Sequence, residues 1–375
     1  MSAYHDTLES LNSNLPLHEK LVKTHQVVQQ QMPFVARIAI ALYDPKTSVL
    51  KTYLHSSGDH NPLPHYDARL SDAPSLQRIL QEGHPRVVNN MLTFGEGEHE
   101  HTRRIGREGY AASYTMPIFQ NGVFLGFLFF NSFETEVFNE TVLNQLDVFG
   151  HLISLMVVNE LTSIRTLVAA VATTSHFTHL RDPETGSHID RMSRYARLIA
   201  KELADRHNLD NDFIEHIFMY SPLHDIGKIA IPDNILFKPG KLDEEEGDIM
   251  RTHARRGREI IDEVLTNFGL DGMQHINILR NIAEYHHEKM NGKGYPAGLK
   301  GDQVPLEARI VAVADIFDAL TSRRPYKDAW TNDEALASLQ RMAGEELDSE
   351  CVEVLIKHRD ELERIQDQFH EDQMG

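Results

Sequence analysis

The spacing of apolar residues changes once along this 375-residue chain, and that change constrains the fold more than any other feature. Up to about residue 132, apolar and polar residues alternate in short runs, as in β-strands with one buried face. From Thr141 onward, apolar residues recur every three or four positions, as in helices. The chain is also longer than one hydrophobic core usually serves. We therefore predict an α+β domain at residues 1–140 and an all-α domain at residues 178–375, joined by a long helix at residues 141–177.

Two β-hairpins are predicted in the first domain. Residues 33–43 and 48–54 flank the turn sequence DPKT. Residues 112–119 and 123–132 flank Gln120-Asn121-Gly122, and Asn-Gly is the strongest short hairpin signal because both residues tolerate positive φ. A helical stretch near residues 75–83 lies between the two pairs. The pattern predicts an antiparallel sheet with helices.

The connecting helix carries one narrow apolar stripe. Its members are Leu146, Phe149, Ile153, Val157, Leu161, Ile164, Val168 and Val171. A narrow stripe on a helix longer than the globular norm favours packing against a partner helix, often the same helix of a second subunit. We therefore expect a homodimer. The alternative is a long helix that folds back on its own domain.

The charge and the cysteine count narrow the class of protein. A formal net charge of −19 argues against binding to duplex nucleic acid, which needs a basic face. The only cysteine, Cys351, excludes an intramolecular disulfide and is compatible with a reducing compartment. The N-terminus lacks the basic start and apolar run of a secretory signal, and no apolar run is long enough for a membrane span. We expect a cytoplasmic protein with no membrane insertion.

Metal-type ligands collect in the helical domain. His224 and Lys228 continue the three-and-four spacing of Ile214 and Ile217, so we expect them on the inward face of one helix. Pro222 is expected to bend that helix about one turn before the ligands. A buried histidine and a buried lysine need partners, which favours a functional role for this face.

Other candidates lie on both sides of this segment. Glu184 and His188 are four residues apart and would share a helix face, which suits ligation of neighbouring metals. Successive helical residues diverge by about 100°, so His286 and His287 can both reach a site only with two ions or at a helix end. Asp315 lies in the apolar run RIVAVADIFDAL, where an unpaired carboxylate would be costly.

Each of these residues, and His253 with them, also has an ordinary structural interpretation. A histidine can be a packed or surface side chain, Glu184 a helix-terminal charge and Asp315 a hydrogen-bonded cap. Their coincidence in one helical domain favours a metal site.

In their order and wording, these segments resemble the HD-GYP family. The matching segments are ETGSHIDR at 184–191, HDIGK at 224–228, His253, HHEKMNGKGYPAGLKGDQVPLEARI at 286–310 and DIFDALTSRRPYK at 315–327. The resemblance covers residues 165–360 and implies an α-helical HD domain that hydrolyses cyclic di-GMP.

The resemblance also implies roles for individual residues. The implied metal ligands are Glu184, His188, His224, Asp225, His253, His286, His287 and Asp315. Glu184 is the residue associated with a third ion, so we expect two or three divalent ions. Mixed imidazole and carboxylate ligation suits iron or manganese and does not exclude zinc.

The catalytic and substrate-binding residues follow from the same resemblance. Asp225 is expected to bridge two ions and, with Lys228, to be catalytic. Lys228, Tyr295, Arg324 and Lys327 are the implied contacts to the substrate. None of the expected ligands is missing from the sequence, which argues against an inactive relative.

The N-terminal domain resembles a GAF domain in its element order and in phrases such as FNSFETEVF. A GAF domain implies small-molecule sensing or dimerisation, with an unknown small ligand or none. The expected function is hydrolysis of cyclic di-GMP by a metal-activated hydroxide under control of this domain, to linear pGpG or onward to GMP. The alternatives are an HD phosphohydrolase that acts on another cyclic dinucleotide and a cyclic di-GMP-responsive protein-interaction module.

Overall fold

The computed structural model describes residues 6–13, 15–58, 65–91, 108–179, 186–270, 275–322 and 329–370. The chain divides into two compact units, Met1–Thr162 and Ser163–Gly375.

A six-stranded antiparallel sheet forms the centre of the first unit. Its strands are β1 Val35–Asp44, β2 Val49–Ser56, β3 Asp67–Arg69, β4 Arg86–Val88, β5 Ala112–Gln120 and β6 Val123–Ser132. Their order in the sheet is β3-β2-β1-β6-β5-β4. Two helices, α1 Leu17–Gln31 and α2 Pro74–Glu82, belong to the same unit. The structure confirms an α+β fold for this part of the chain.

Both predicted hairpins are present. β1 pairs antiparallel with β2, and β5 with β6. The β5–β6 turn has φ of +50° at Asn121 and +80° at Gly122, the left-handed pair that a two-residue type I′ turn requires. Helix α1 and the three-residue strands β3 and β4 were not predicted, since such short strands carry too few residues for an alternating pattern.

The long helix, α3, spans Glu140–His179. Its predicted stripe is largely buried within the chain itself, with Leu146, Ile153 and Val157 each at most 1% exposed. This burial matches the alternative in which the helix packs on its own chain. Val168 and Val171 lie outside the residues whose side chains are described.

One stretch of α3, Glu140–Leu167, is long and apolar enough to cross a membrane by length and composition. The core helix of a soluble protein can meet the same two criteria. Val148 and Leu155, seven residues apart, are 69% and 66% exposed. This helix therefore presents apolar surface outside its buried stripe.

Among the residues described, the regular secondary structure of the second unit is helical. Its helices are α4 Gly186–Glu202, α5 Ala204–His207, α6 Asn211–Tyr220, α7 Asp233–Leu236, α8 Glu244–Arg251, α9 His253–Phe268, α10 Ile276–Tyr285, α11 Leu306–Thr321, α12 Asn332–Met342, α13 Ser349–Lys357 and α14 Arg359–Gln368. Asp243 and Glu246 form a capping box at the start of α8. Helices α4, α6, α10 and α11 share one buried core that includes Tyr195, Ile217, Ile282 and Phe317.

The prediction that His224 and Lys228 lie on one continuous helix with Ile214 and Ile217 was wrong. Helix α6 ends at Tyr220, and two 3₁₀ turns follow, Ser221–Leu223 and Ile226–Ala230. The proline at position 222 lacks an N–H and cannot continue the α-helical hydrogen bonding. His224 and Asp225 therefore lie in the junction between the two turns, and Lys228 lies within the second.

Candidate metal centre

Four ligand-type side chains, that of Asp225 among them, lie together at the junction between the two 3₁₀ turns. One ligand atom from each of Asp225, His253, His286 and His287 lies within 4.8 Å of the others. The Oδ1 atom of Asp225 lies 3.2 Å from Nε2 of His253 and 3.6 Å from Nε2 of His286. His253 is the first residue of α9, and the two adjacent histidines follow the last residue of α10. Helix termini thus bring these side chains to one point.

A second group consists of His188, His224 and Asp315, again with their ligand atoms within 4.8 Å of one another. The Oδ1 atom of Asp315 lies 3.9 Å from Nε2 of both histidines. The two groups meet at Asp225, because its Oδ2 atom lies 3.3 Å from Nε2 of His224. One carboxylate therefore faces a ligand of each group.

The hydrogen bonds of the histidines fix which ring nitrogen is available to a metal. The Nδ1 atoms of His224, His253 and His286 donate to the backbone carbonyl oxygens of Ser221, Met250 and Ile282, at 3.0, 2.8 and 2.9 Å. A carbonyl oxygen only accepts, so in the neutral rings the lone pair is on Nε2.

The residues present fit a cation. Among the described residues, Nε2 of His253, Nε2 of His286 and Oδ1 of Asp225 are buried without a hydrogen-bond partner. All three are acceptor atoms, and they converge on one point without a donor between them. Leaving buried acceptors unsatisfied costs about 1–3 kcal/mol for each group. A bound divalent cation would satisfy all three.

The electrostatics of the centre favour the ligand forms of these side chains. Burial lowers the pKa of His286 and of His287, so both imidazoles are neutral. Burial alone would raise the pKa of Asp225, but Lys228 and His224 outweigh it and hold that pKa well below its usual range. The Nζ atom of Lys228 lies 2.8 Å from Oδ2 of Asp225. Lys228 therefore contacts the centre in space and is not merely close to Asp225 in the sequence.

The adjacent histidines reach the same group because the helix stops. Helix α10 ends at Tyr285, so His286 and His287 do not diverge as they would inside a helix, and their ring centroids are 4.0 Å apart. The ring of Tyr295 lies 4.8 Å from that of His287 and 6.2 Å from that of His253. The predicted substrate contact thus lies against the metal-type ligands, and burial raises the pKa of its phenol.

One supporting residue that the sequence reasoning missed is Asp318. Its carboxylate, 0% exposed, accepts a hydrogen bond of 2.7 Å from Nδ1 of His188 and two from the guanidinium of Arg191, at 2.7 and 2.9 Å. A carboxylate on the far nitrogen of a histidine ligand fixes its tautomer and ring orientation. The available signal was the burial argument already applied to Asp315, one helical turn away in the same apolar run.

A second missed residue is Glu288, which anchors the loop that carries Tyr295. Its buried carboxylate accepts hydrogen bonds from three successive backbone N–H groups, those of Ala297, Gly298 and Leu299, at 2.6, 3.0 and 2.9 Å. The loop also approaches closely at Gly294, where a Cβ would lie 2.4 Å from the backbone nitrogen of Lys289. This packing sets the position of the tyrosine beside the histidines.

Three predicted site residues lie outside the described residues. Glu184, the predicted ligand of a third ion, falls at 180–185, and Arg324 and Lys327 fall at 323–328. Of the ligands predicted from the sequence, the structure brings together His188, His224, Asp225, His253, His286, His287 and Asp315. A centre of this composition can hold divalent metal next to a lysine and a tyrosine.

Comparison with known families defines the class of each unit. Residues 183–351 match the model of the HD domain, and residues 17–157 match that of the GAF domain. The chain thus contains a GAF domain followed by an HD domain, which confirms the two resemblances drawn from the sequence.

Curated relatives match about half of this chain. The cyclic di-GMP phosphodiesterase response regulator RpfG of Xanthomonas campestris is 48% identical over 189 residues, covering 50% of this chain and 47% of that protein. A probable cyclic di-GMP phosphodiesterase of Vibrio cholerae is 41% identical, covering 50% and 43%. The 3′3′-cGAMP-specific phosphodiesterase 2 of Vibrio cholerae is 41% identical, covering 48% and 33%. This chain therefore spans less than half the length of these relatives.

Proposed function

We propose that this protein is a metal-dependent phosphodiesterase that hydrolyses cyclic di-GMP to linear pGpG. The observation that carries the proposal is the Asp225 carboxylate, whose two oxygens face histidines of two different ligand groups with Lys228 alongside. A pair of adjacent sites is what an in-line attack on a phosphodiester uses. The names of RpfG and of the probable phosphodiesterase support this substrate.

The proposed holders of the ions are the seven grouped ligands, with Glu184 as the candidate ligand of a third ion. Their mixture of imidazole and carboxylate suits iron or manganese. Divalent ions bound there would acidify a water molecule and neutralise phosphate charge. The metal count is open to direct measurement between two and three.

Other side chains of this protein would bind the substrate and stabilise its developing charge. The ammonium of Lys228, beside Asp225, would stabilise negative charge that develops on the phosphoryl oxygens. Tyr295, a protonated phenol beside His287, would donate a hydrogen bond to the substrate, and Arg324 and Lys327 are further proposed contacts to its phosphates or bases. The neutral His286 and His287 would stay ligands at physiological pH, since burial keeps them unprotonated.

The proposed test is hydrolysis by the purified chain after anaerobic loading with iron or manganese. Cyclic di-GMP should be consumed, with pGpG and GMP separated by chromatography and metal content measured on the same sample. Asp225→Ala should abolish hydrolysis, while Asp248→Asn, a change at a 69%-exposed carboxylate, should leave it intact.

Two outcomes would favour the alternatives. Cleavage of 3′3′-cGAMP with cyclic di-GMP left intact would reassign the substrate, an alternative supported by the 41% identity to a phosphodiesterase named for that nucleotide. Binding of cyclic di-GMP without cleavage, unchanged by Asp225→Ala, would favour an interaction module.

We further propose that the GAF domain regulates this activity and that the protein is a cytoplasmic homodimer. The exposed Val148 and Leu155 of α3 support self-association through that helix. Light scattering of the purified chain would decide whether it is a dimer, because Leu155→Lys should shift a dimer toward monomer and leave a monomer unchanged.

A further inference from the structure

A second cluster of metal-type side chains, two of its three members buried, lies in the helical unit, and it shares no residue with the two ligand groups of the candidate centre. Asp212 and His216 are one turn apart on α6, and His275 immediately precedes α10. One ligand atom from each of the three lies within 4.8 Å of the other two. We propose that Asp212, His216 and His275 form a further binding site for a divalent transition metal of the zinc class.

The three side chains are in close contact. The Nε2 atom of His275 lies 2.9 Å from Oδ2 of Asp212, and Nδ1 of His216 lies 3.2 Å from Oδ1 of the same carboxylate. The two imidazole ring centroids are 4.6 Å apart. Two histidines, one on α6 and one just before α10, therefore contact one carboxylate.

The hydrogen bonding of His216 leaves its Nε2 atom available for coordination. Its Nδ1 donates to the backbone carbonyl oxygen of Asp212 at 2.7 Å, so the lone pair of the neutral ring is on Nε2. Among the described residues, neither this Nε2 nor Oδ1 of Asp212 has a hydrogen-bond partner. The two residues are 1% and 3% exposed. Two buried acceptor atoms in one cluster call for a positive partner.

A hydrogen-bond network without metal explains only part of this arrangement. The contact between His275 and Asp212 is a satisfactory hydrogen bond by itself. It supplies nothing to Nε2 of His216, which needs a donor or a cation. A cation bound at Nε2 would satisfy that lone pair.

The donor set defines the ion. Two imidazoles and one carboxylate, with water in the fourth position, are a ligand set that zinc uses in catalytic sites. All three ligands must be unprotonated when the ion binds, so binding would displace the proton that His275 shares with Asp212. Magnesium and calcium prefer all-oxygen sites, which disfavours them here.

The location gives such a site a structural role. Helix α6 leads into the turns that carry His224 and Asp225, and α10 ends at His286 and His287. An ion held by Asp212, His216 and His275 would tie the start of α6 to the start of α10. It would thereby fix the two helices that supply ligands to the candidate centre.

The experiment counts zinc in the full chain. Wild type, His216→Gln and His275→Asn are stripped with a chelator, dialysed against zinc chloride and then against buffer, and zinc per chain is measured by mass spectrometry. The matched control is His207→Gln, which alters a partly exposed histidine paired with Glu350. Each cluster variant should hold one zinc fewer than wild type and the control, and cobalt substitution should show a parallel loss of visible absorption.

His275→Asn guards against misfolding, because His275 has φ of +53° and asparagine tolerates the left-handed region. If His216→Gln fails to fold, the asparagine variant alone decides. Equal zinc in wild type and His275→Asn would overturn the proposal, and so would the loss of more than one ion, since the effect would then lie at the candidate centre. The zinc count does not depend on cyclic di-GMP hydrolysis, so either proposal can fail without the other.

Discussion

Gly227 packs directly on the backbone of His253. A Cβ atom on Gly227 would lie 1.8 Å from the carbonyl oxygen of His253 and 2.5 Å from the backbone nitrogen of Gly257. The contact joins the turn that carries Asp225 to the first turn of α9. The glycine of HDIGK is therefore needed for close approach, which brings Nε2 of His253 within 3.2 Å of Asp225.

Gly227→Ala should separate that turn from α9. Overpacking of this kind costs about 1–3 kcal/mol and more when backbone must move, and we expect weaker metal binding along with a lower free energy of unfolding. Gly247→Ala is the matched control, because a Cβ there meets only the flexible end of Arg251 at 3.4 Å and should be neutral or stabilising. Equal stability and metal content in the two variants would contradict the steric explanation.

Asp318→Asn should weaken metal binding through His188. Loss of the charge leaves the buried guanidinium of Arg191 without its counterion, which costs about 3–5 kcal/mol. Removing a carboxylate behind a histidine ligand lowers metal affinity about 10–100-fold. Titration of the folded variant with manganese measures that affinity, and Asp248→Asn is the control. Wild-type affinity in the variant would show that Asp318 only holds the fold together.

Glu288→Gln should impair the substrate step while metal content stays unchanged. The charged carboxylate accepts three backbone N–H groups of the Tyr295 loop, and hydrogen bonds to charged groups contribute about 1.5–3 kcal/mol each. We expect kcat/KM for cyclic di-GMP to fall at least about tenfold, since 1.36 kcal/mol corresponds to a factor of ten. Glu346→Gln, at a 40%-exposed carboxylate paired with Lys289, should leave kcat/KM unchanged. A parallel loss of bound metal in Glu288→Gln would argue against a role confined to the loop.

Lys228→Met should lower kcat without lowering metal content. Removal of one charge-stabilising donor from an active site costs about 10²–10³-fold in kcat. The ammonium of Lys228 contacts Oδ2 of Asp225 and is not itself a metal ligand, so its loss should not weaken metal binding. The control is Lys357→Met, which alters a 62%-exposed lysine. If kcat stays at the wild-type value, Lys228 is not catalytic.

Cys351 should be unreactive in the folded protein. The thiol is 0% exposed, and burial raises its pKa well above the ordinary value, whereas reaction with a disulfide reagent needs the thiolate. Because the folded state favours the protonated thiol, the free energy of unfolding keeps its full value below the unfolded pKa of about 8.5. It falls as pH rises from there toward the folded pKa. Labelling should therefore follow unfolding and give no signal in Cys351→Ala. Labelling of the folded chain at the rate of a free thiol would contradict this burial.

The parts of the fold that carry a local signal were predictable. Asn121-Gly122 specifies its hairpin because two positive φ values in a row exclude most residues. The apolar stripe of α3 predicted a helix, but periodicity alone does not say what covers a stripe, and its buried part packs within the chain.

The candidate site was predictable in composition more than in geometry. Helical periodicity failed from Ser221 onward, because Pro222 converts the segment into 3₁₀ turns, where the three-and-four spacing of an α-helix no longer applies. Glu288 was missed because its partners are backbone N–H groups of Ala297, Gly298 and Leu299, and a backbone leaves no trace in the residue types.

The placement of Asp225 between two ligand groups makes position 225 the least redundant in the site. Loss of a single histidine would leave neighbouring imidazoles able to hold an ion, whereas replacement of Asp225 removes a contact from both groups at once. An amide there would turn an N–H₂ group toward one set of histidines. A substitution at position 225 is thus the single change that would most readily turn a protein of this kind into one that binds its substrate without cleaving it.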